Sequence, residues 1–169
     1  MIHNNQIAYV IAHFEDGRVY TGKMHNDLPN GKGKMVYPDG ATYEGEWQNG
    51  VINGVATVTD VNVNGSRYTG KMHNDLPNGK GKMVYPNGTT YEGEWQNGAL
   101  NGVATVTDVY HNTLTGKFTN GTISGYACLK DQNGYSYREY DNQGRLINNN
   151  IPEETIEDLK LYHVGYDYL

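Results

Sequence analysis

Residues 43–50 read Tyr-Glu-Gly-Glu-Trp-Gln-Asn-Gly, and the same eight residues recur at 91–98. Side chains of a β-strand point alternately to its two faces, so the tyrosine, glycine and tryptophan share one face and the glutamates take the other. The closing Asn-Gly is typical of a two-residue hairpin turn, because both residues tolerate a positive φ. Each copy therefore predicts a β-strand that ends in a hairpin turn.

This segment belongs to a larger internal repeat. Residues 20–60 recur as residues 68–108, an offset of 48, and only four of the 41 aligned positions differ: Asp39/Asn87, Ala41/Thr89, Val51/Ala99 and Ile52/Leu100. Inside each block a second unit begins 23 residues after the first, at Tyr43 and at Tyr91. Asn-Gly occurs ten times along the chain, which favours repeated hairpin turns. The pattern predicts an all-β fold of consecutive hairpins.

The repeat boundaries predict two parts, an array at residues 1–147 and a linker with a capping helix at 148–169. The array comprises a half repeat at 7–19, full repeats at 20–42, 43–67, 68–90, 91–113 and 114–136, and a degraded repeat at 137–147 that opens with Tyr137. In the tail, Pro152 suits a first helical turn, and Ile156, Leu159 and Tyr162 recur on one helix face. We expect a short helix from about Pro152 to Tyr162 that covers the edge of the last hairpin.

The composition narrows the function classes. Only 37% of the 169 residues are hydrophobic, whereas 22 are glycine and 15 are tyrosine, which favours a thin layer of tyrosines over a deep aliphatic core. The net charge of −6 argues against a nucleic-acid duplex or an anionic membrane as the main partner. The single cysteine, Cys128, cannot form an internal disulfide, and neither a secretory signal nor a membrane-spanning apolar run is visible. The expected location is the cytoplasm.

The alternating pattern collects large apolar residues on one face of the predicted sheet: Tyr20, Met24, Tyr43, Trp47, Tyr68, Met72, Tyr91, Trp95 and Phe118. Glycine in a strand interior fits where another group approaches closely. We therefore expect four strand glycines to leave room for an aromatic ring from the next hairpin: Gly22, Gly45, Gly70 and Gly93. A one-layer sheet has no second sheet to cover this face, and exposed apolar surface usually marks an interaction site. The face is predicted to form a binding groove.

The motif at residues 43–50, followed by Asn53-Gly54, resembles the MORN repeat, and the resemblance extends over about residues 7–145. It implies an elongated, single-layer, twisted antiparallel sheet with an aromatic groove. It also implies protein–protein contacts and self-association, with phospholipid binding proposed for some members. The chain departs from the pattern where alanine replaces the usual second glycine, at Ala56, Ala104 and Ala127, and where Leu114 and Glu139 replace a tyrosine and a glycine. At these positions we expect altered packing.

Two histidine–aspartate pairs resemble a chemical motif. His25 and Asp27, and their copies His73 and Asp75, have the residue types of a base with its orienting carboxylate or of two metal ligands. They lie beside a hairpin loop without a third ligand in the sequence. We favour a hydrated turn in which the aspartate bonds its own backbone.

Charged residues on the strands allow similar alternatives. Glu44 and Glu46 resemble a catalytic carboxylate pair, but Lys34 on the preceding strand favours a cross-strand charge pair. The Gly-Lys-Gly-Lys runs at 31–34 and 79–82 lack the following helix that a phosphate loop needs, although with Lys23 and Lys71 they form a small basic patch. Cys128 is interpreted as a semi-exposed structural residue. No catalytic residue, cofactor or metal site is predicted.

We interpret the chain as a non-catalytic protein–protein interaction or scaffolding module that binds a partner, or itself, through the aromatic groove. The residues predicted to contact the partner are Tyr43, Trp47, Tyr91, Trp95 and Phe118, with Lys34, Lys82, His25 and His73 as secondary candidates. The alternative is an inhibitor or antitoxin-like protein that occludes another protein's active site, and a third interpretation is a phosphoinositide or membrane-surface adaptor. The twin blocks, four strands or about 19 Å apart, suit either a bivalent target or a recent duplication.

Overall fold

The computed structural model describes residues 8–60, 65–152 and 155, and within these ranges the chain forms thirteen β-strands and no α-helix. The all-β fold class predicted from the repeats is therefore confirmed. The strands are β1 (Ala8–His13), β2 (Val19–His25), β3 (Leu28–Val36), β4 (Thr42–Gln48), β5 (Val51–Asp60), β6 (Ser66–His73), β7 (Leu76–Val84), β8 (Thr90–Gln96), β9 (Ala99–Thr107), β10 (Thr113–Thr119), β11 (Thr122–Asp131), β12 (Gly134–Tyr140) and β13 (Leu146–Asn148).

The chain divides into two compact units, residues 1–86 with β1–β7 and residues 87–169 with β8–β13. Within each unit, neighbouring strands pair antiparallel in a simple meander. Asn49 and Gly50, between β4 and β5, have φ values of 49° and 86°, the left-handed conformation that a type I′ hairpin turn requires. The hairpin turn predicted at this Asn-Gly pair is confirmed.

The register of the first unit divides its side chains between two faces. One cross-strand line runs through Tyr20, Met35, Tyr43, Val58, Tyr68 and Met83. We call this side the aromatic face, and it holds buried residues that include Tyr20, Met35, Trp47, Ile52, Ala56, Val58, Tyr68 and Met72. The opposite side, the polar face, has a line of Thr21, Lys34, Glu44, Thr57, Thr69 and Lys82. The predicted alternation of apolar and polar side chains is confirmed.

A row of small residues crosses the first unit beside the tyrosines: Gly22, Gly33, Gly45, Ala56, Gly70 and Gly81. A Cβ added to Gly45 would lie 2.6 Å from both Val55 O and Ala56 Cβ, so the neighbouring strand occupies this space. A Cβ added to Gly33 would overlap the ring of Tyr20, which belongs to the same hairpin. The expectation that a ring from the next hairpin fills these spaces is therefore wrong. The glycines instead allow close approach of paired strands and of a ring from within the repeat.

The hairpin β11–β12 departs from the predicted repeat register. Ser136 pairs with Leu129 and stands where other units have their tyrosine, while Arg138 pairs with Ala127 at the glycine position. Tyr137 consequently lies on the same face as Thr115 and Cys128, opposite the face of Gly116 and Ala127, instead of opening a repeat. The Nε of Arg138 is buried without a hydrogen-bond partner, so the regular core ends here.

Cys128, Tyr137 and Ile151 form a small buried cluster in the second unit, with exposed fractions of 3%, 5% and 8%. Cys128 pairs with Tyr137 across β11 and β12, and the Ile151 N–H donates to the Tyr137 carbonyl at 3.2 Å. The chain after β13 thus covers the side of this hairpin that carries Cys128 and Tyr137. The expectation of a semi-exposed Cys128 is wrong, because the thiol is enclosed by this cluster.

The helix predicted from Pro152 to Tyr162 falls on residues that are, apart from Pro152 and Thr155, outside the described part of the chain. Thr155 N–H donates to the Pro152 carbonyl at 3.0 Å. Among the described residues there is no helix with the length and apolar character needed to cross a membrane.

Candidate functional site

The aromatic face is built from rings that lie against the row of small residues. The Tyr20 ring covers Gly33, and its hydroxyl donates to the Lys23 carbonyl at 2.9 Å. Trp47 meets the Tyr20 ring edge-on at a centroid distance of 5.6 Å, and its Nε1–H donates to the Gly33 carbonyl at 3.0 Å. Because Gly33 has no side chain, the Tyr20 ring can lie over it, and the Gly33 carbonyl holds the Trp47 ring through a hydrogen bond. In the twin block, Tyr68 covers Gly81 in the same way and donates to the Lys71 carbonyl at 2.9 Å.

Most of the residues predicted to contact a partner are buried within their own unit. Trp47, Trp95 and Phe118 have exposed fractions of only 4%, 8% and 5%, so their large surfaces are occupied by intramolecular packing. Tyr43 and Tyr91 are only half-buried. Of the predicted set, these two tyrosines therefore have ring surface available for a partner.

Tyr43 stays accessible because of a substitution noted in the sequence. Ala56 holds the place relative to Tyr43 that Gly33 holds relative to Tyr20, since Gly45 pairs with Ala56 as Gly22 pairs with Gly33. The methyl group of Ala56, itself 3% exposed, occupies the space in which a ring would otherwise lie flat. The Tyr43 ring instead packs against Tyr37, at a centroid distance of 5.2 Å and an interplanar angle of 54°. The expected change in packing at this alanine is confirmed.

Tyr43 belongs to an aromatic–arginine cluster with Phe14, Arg18 and Tyr37, all four half-buried. The Arg18 guanidinium carbon lies 5.0 Å from the Phe14 ring centroid and 5.9 Å from that of Tyr37. The Arg18 Nε lies 2.7 Å from the Asp16 carboxylate. A hydrogen bond from the Arg18 backbone N–H, with the ion pair, lowers the pKa of Asp16 below its usual value. The turn thus holds a charged, partly exposed cation between two rings.

Sequence reasoning missed three members of this cluster because it followed only the strand interiors. Phe14, Arg18 and Tyr37 stand in the connections β1–β2 and β3–β4. Continuing the two-residue alternation past Ala12 and Met35 would have placed Phe14 and Tyr37 on the aromatic face. That alternation was the available signal.

The secondary candidates lie elsewhere. Lys34 Nζ is 3.7 Å from the Glu44 carboxylate, which confirms the predicted charge pair. Lys82 is exposed on the polar face. His25 is half-buried and His73 is exposed. They are the last residues of β2 and β6, at the opposite end of the strands from the connections that carry the aromatic–arginine cluster.

The His73–Asp75 pair is used for structure. Asp75 Oδ1 accepts the Ile52 N–H at 2.8 Å, and the Asp75 N–H donates to the Ile52 carbonyl at 3.2 Å. Asp75 therefore ties its turn to the start of β5. The sequence had predicted instead that the aspartate bonds its own backbone. His73 Nδ1 lies 3.3 Å from Asn53 Oδ1. Among the described residues, no group of three or more His, Cys, Asp or Glu side chains could hold a metal ion.

The second unit contains a polar cleft of about 540 Å³ that sequence reasoning also missed. It is lined by Tyr110, His111, Asn112, Thr113, Lys130, Asp131 and Gln132. The Asp108 carboxylate accepts hydrogen bonds from the adjoining loop. The bond from the Asn112 side chain is the largest of the interactions that lower the pKa of Asp108. The twin blocks cease to match at Tyr110, where the first block has Asn62, which was the signal that this loop differs.

Four segments of the chain match the model of the MORN repeat, at residues 20–42, 43–62, 68–90 and 91–108. The chain belongs to the MORN-repeat family. No curated protein matches it. MORN repeats generally serve as protein or membrane interaction modules. The fifth MORN-like hairpin, β10–β11, lies beyond the matched segments but pairs Gly116 with Ala127 as the earlier repeats pair glycine with a small residue.

The buried tyrosine of the first full MORN repeat gives a testable pH response. Burial, with a smaller contribution from the charge of Tyr9, raises the pKa of Tyr20 to about 12. In an unfolded chain the tyrosine pKa is ~10. Between this pH and the folded pKa, the folded chain keeps the hydroxyl proton that the unfolded chain loses. The resulting stabilisation is fully present below pH ~10 and is lost as the pH rises through the folded pKa. We expect the Tyr20 ¹³Cζ resonance, assigned with Tyr20→Phe, to titrate well above that of a tyrosine peptide. Equal midpoints would contradict the buried hydroxyl.

Proposed function

We propose that this MORN array is a non-catalytic protein-binding module, and that it contacts its partner through the aromatic–arginine cluster of Phe14, Arg18, Tyr37 and Tyr43. The arrangement of this cluster carries the proposal. Its rings are held in place by one another and by Arg18, yet each side chain keeps part of its surface exposed. Tyrosine and arginine are enriched among the residues that dominate binding energy at protein interfaces.

The preordered cluster also favours binding on energetic grounds. Ordering a free side chain at an interface costs about 0.5–1.5 kcal/mol. In the cluster, Arg18 is already held by Asp16 at 2.7 Å and by two rings. A partner would therefore meet a surface whose side-chain entropy has largely been lost on folding.

The contacts of the residues considered for catalysis support a non-catalytic role. Asp75 is bonded to the Ile52 backbone, and Glu44 lies beside Lys34. Each of these groups has a structural contact that accounts for its position. His25 and His73 lie outside the aromatic–arginine cluster, so they serve as control positions.

The proposal is tested by affinity capture from the cells that make the protein, with quantitative mass spectrometry of what is retained. Tyr37→Ala and Arg18→Ala should each lower recovery of the specific partner roughly tenfold, the effect of losing a residue that contributes strongly to an interface. Both positions lie in a connection rather than in the buried core, so circular dichroism should show the fold retained.

The matched control is the double variant His25→Ala/His73→Ala, which should retain the same partner at an unchanged level. Undiminished capture by folded Tyr37→Ala and Arg18→Ala variants would contradict the cluster as the binding site. Loss of biological function in a folded His25→Ala/His73→Ala variant would instead favour a catalytic role.

A further inference from the structure

Six lysines project from the polar face of the first unit in two identical groups. The first lysine triad is Lys23, Lys32 and Lys34 on β2 and β3, and the second is Lys71, Lys80 and Lys82 on β6 and β7. All six side chains are exposed. On this face, strands β2–β7 carry one further exposed cation, Arg67, against two carboxylates, Glu44 and Glu46. This face is strongly basic although the whole chain has a net charge of −6.

The fold sets the spacing of the two triads. Equivalent lysines stand four strands apart, which corresponds to about 19 Å at the usual separation of paired strands. The side chains of Lys23 and Lys71 are held in place because their methylene chains lie over glycines of the neighbouring strand. A Cβ added to Gly31 would be 3.2 Å from Lys23 Cδ, and one added to Gly79 would be 3.0 Å from Lys71 Cδ. The two triads therefore form a repeated, partly ordered cationic surface.

The surface between the triads has a different character. Glu44 and Glu46 stand on β4, directly across from Lys34 and Lys32. Beyond them, β5 presents Val55, which is 63% exposed, and Thr57. A ligand that spans both triads would thus meet basic, then acidic and neutral, then basic surface.

The rims of this face limit the shape of the ligand. Asp16 and Asp39 lie in the connections at one end of the strands, and Asp27 and Asp75 lie in the turns at the other. A strand such as β2, seven residues long, extends about 23 Å between these rims at ~3.3 Å per residue. A broad anionic surface would meet both acidic rims, whereas a single extended peptide can cross the strands between them.

We infer that the polar face binds an extended acidic segment of a partner protein, with two clusters of carboxylates about 19 Å apart. At ~3.3 Å per residue of extended chain, the cluster centres are about six residues apart. Linking two weak charge contacts in one peptide raises its affinity above that of either contact. This site is separate from the aromatic–arginine cluster and goes beyond the function proposed for it.

The experiment uses the full chain and fluorescein-labelled peptides, with binding measured by fluorescence anisotropy at low salt. The two-cluster probe is Glu-Glu-Glu-Gly-Ser-Gly-Glu-Glu-Glu, and the single-cluster probe replaces the last three glutamates with serine. We expect the two-cluster peptide to bind roughly tenfold or more tightly than the single-cluster peptide. Added salt should weaken this binding, because both triads are exposed.

Three lysine variants identify the site. Lys23→Gln/Lys32→Gln/Lys34→Gln should reduce affinity for the two-cluster peptide to that of the single-cluster peptide, and the equivalent change in the second triad should do the same. Changing both triads should abolish binding. Lys117→Gln, an exposed lysine of the second unit, is the matched control and should have no effect. Tyr37→Ala should also leave peptide binding unchanged, which separates this site from the proposed partner site on the aromatic face.

Three results would overturn the inference. The first is equal affinity for the two peptides, and the second is peptide binding that survives loss of both triads. The third is tighter, triad-dependent binding to phosphatidylcholine vesicles that contain phosphatidylinositol 4,5-bisphosphate than to the two-cluster peptide. The occupant of the polar face would then be a lipid surface and not a protein segment.

Discussion

We expect Trp47→Ala to lower the free energy of unfolding by about 3–5 kcal/mol, the usual cost of removing a large buried aromatic side chain. Trp47 is 4% exposed, packs edge-on against Tyr20 at 5.6 Å and donates to the Gly33 carbonyl at 3.0 Å. In a thin core, few other side chains can move to fill the space. Urea unfolding followed by far-UV circular dichroism measures the change.

Trp47→Phe is the matched control for this prediction. Phenylalanine keeps most of the apolar contact but leaves the Gly33 carbonyl without its donor, so we expect a smaller loss of about 1–3 kcal/mol. A loss below about 1 kcal/mol for Trp47→Ala would show that the ring is not part of the core. Trp47 would then return to consideration as a partner-binding residue.

We expect Gly33→Ala to lower the free energy of unfolding by about 2–3 kcal/mol, toward the upper end of the usual range for overpacking. The added Cβ would overlap the hydroxyl and ring of Tyr20, a residue with 0% exposure. The ring would have to leave the glycine, which would also break the bond from its hydroxyl to the Lys23 carbonyl. Chemical denaturation of the variant measures the loss.

A double-mutant cycle with Tyr20→Leu tests whether the ring is the cause. In the Tyr20→Leu background the alanine at position 33 no longer meets a hydroxyl-bearing ring, so its cost should fall by at least about 1 kcal/mol. An unchanged cost would mean that backbone approach, rather than the ring, requires the glycine. Gly81→Ala with Tyr68→Leu is the equivalent cycle in the twin block, where Tyr68 occupies the same space.

Inhibition of an enzyme, the alternative function considered from the sequence, would also be exerted through a protein interface. A specific partner captured through Arg18 and Tyr37 would therefore have to be assayed for activity with and without this chain. Loss of the partner's activity would favour inhibition, whereas unchanged activity would favour scaffolding.

Local sequence features were sufficient for the strands, the turns and the separation of the two faces. An alternating strand must place Tyr43 and Trp47 on one side and Glu44 on the other, whatever surrounds it. Asn49-Gly50 accommodates the positive φ of a tight turn without help from distant residues. The Lys34–Glu44 pair followed from the same alternation once the two strands were taken as neighbours.

Only the tertiary structure decided which aromatic residues are core and which are surface. Tyr20 and Tyr43 occupy equivalent places in the repeat, but the first ring lies over Gly33 and is buried, while the second meets Ala56 and remains accessible. The difference depends on a single methyl group on the neighbouring strand. Its position relative to the ring is set by the cross-strand register, in which Gly45 pairs with Ala56 as Gly22 pairs with Gly33.

The same dependence on register explains the errors at the end of the array. Tyr137 looked like the start of a repeat, but the pairing of β12 with β11 places Ser136 at that position and turns Tyr137 to the other face. Side chains alternate with a period of two, so a shift of one residue moves every side chain of a strand to the opposite face. Composition and spacing by themselves determined that this chain is an array of hairpins. The pairing between strands determined which surfaces those hairpins bury and which they leave exposed.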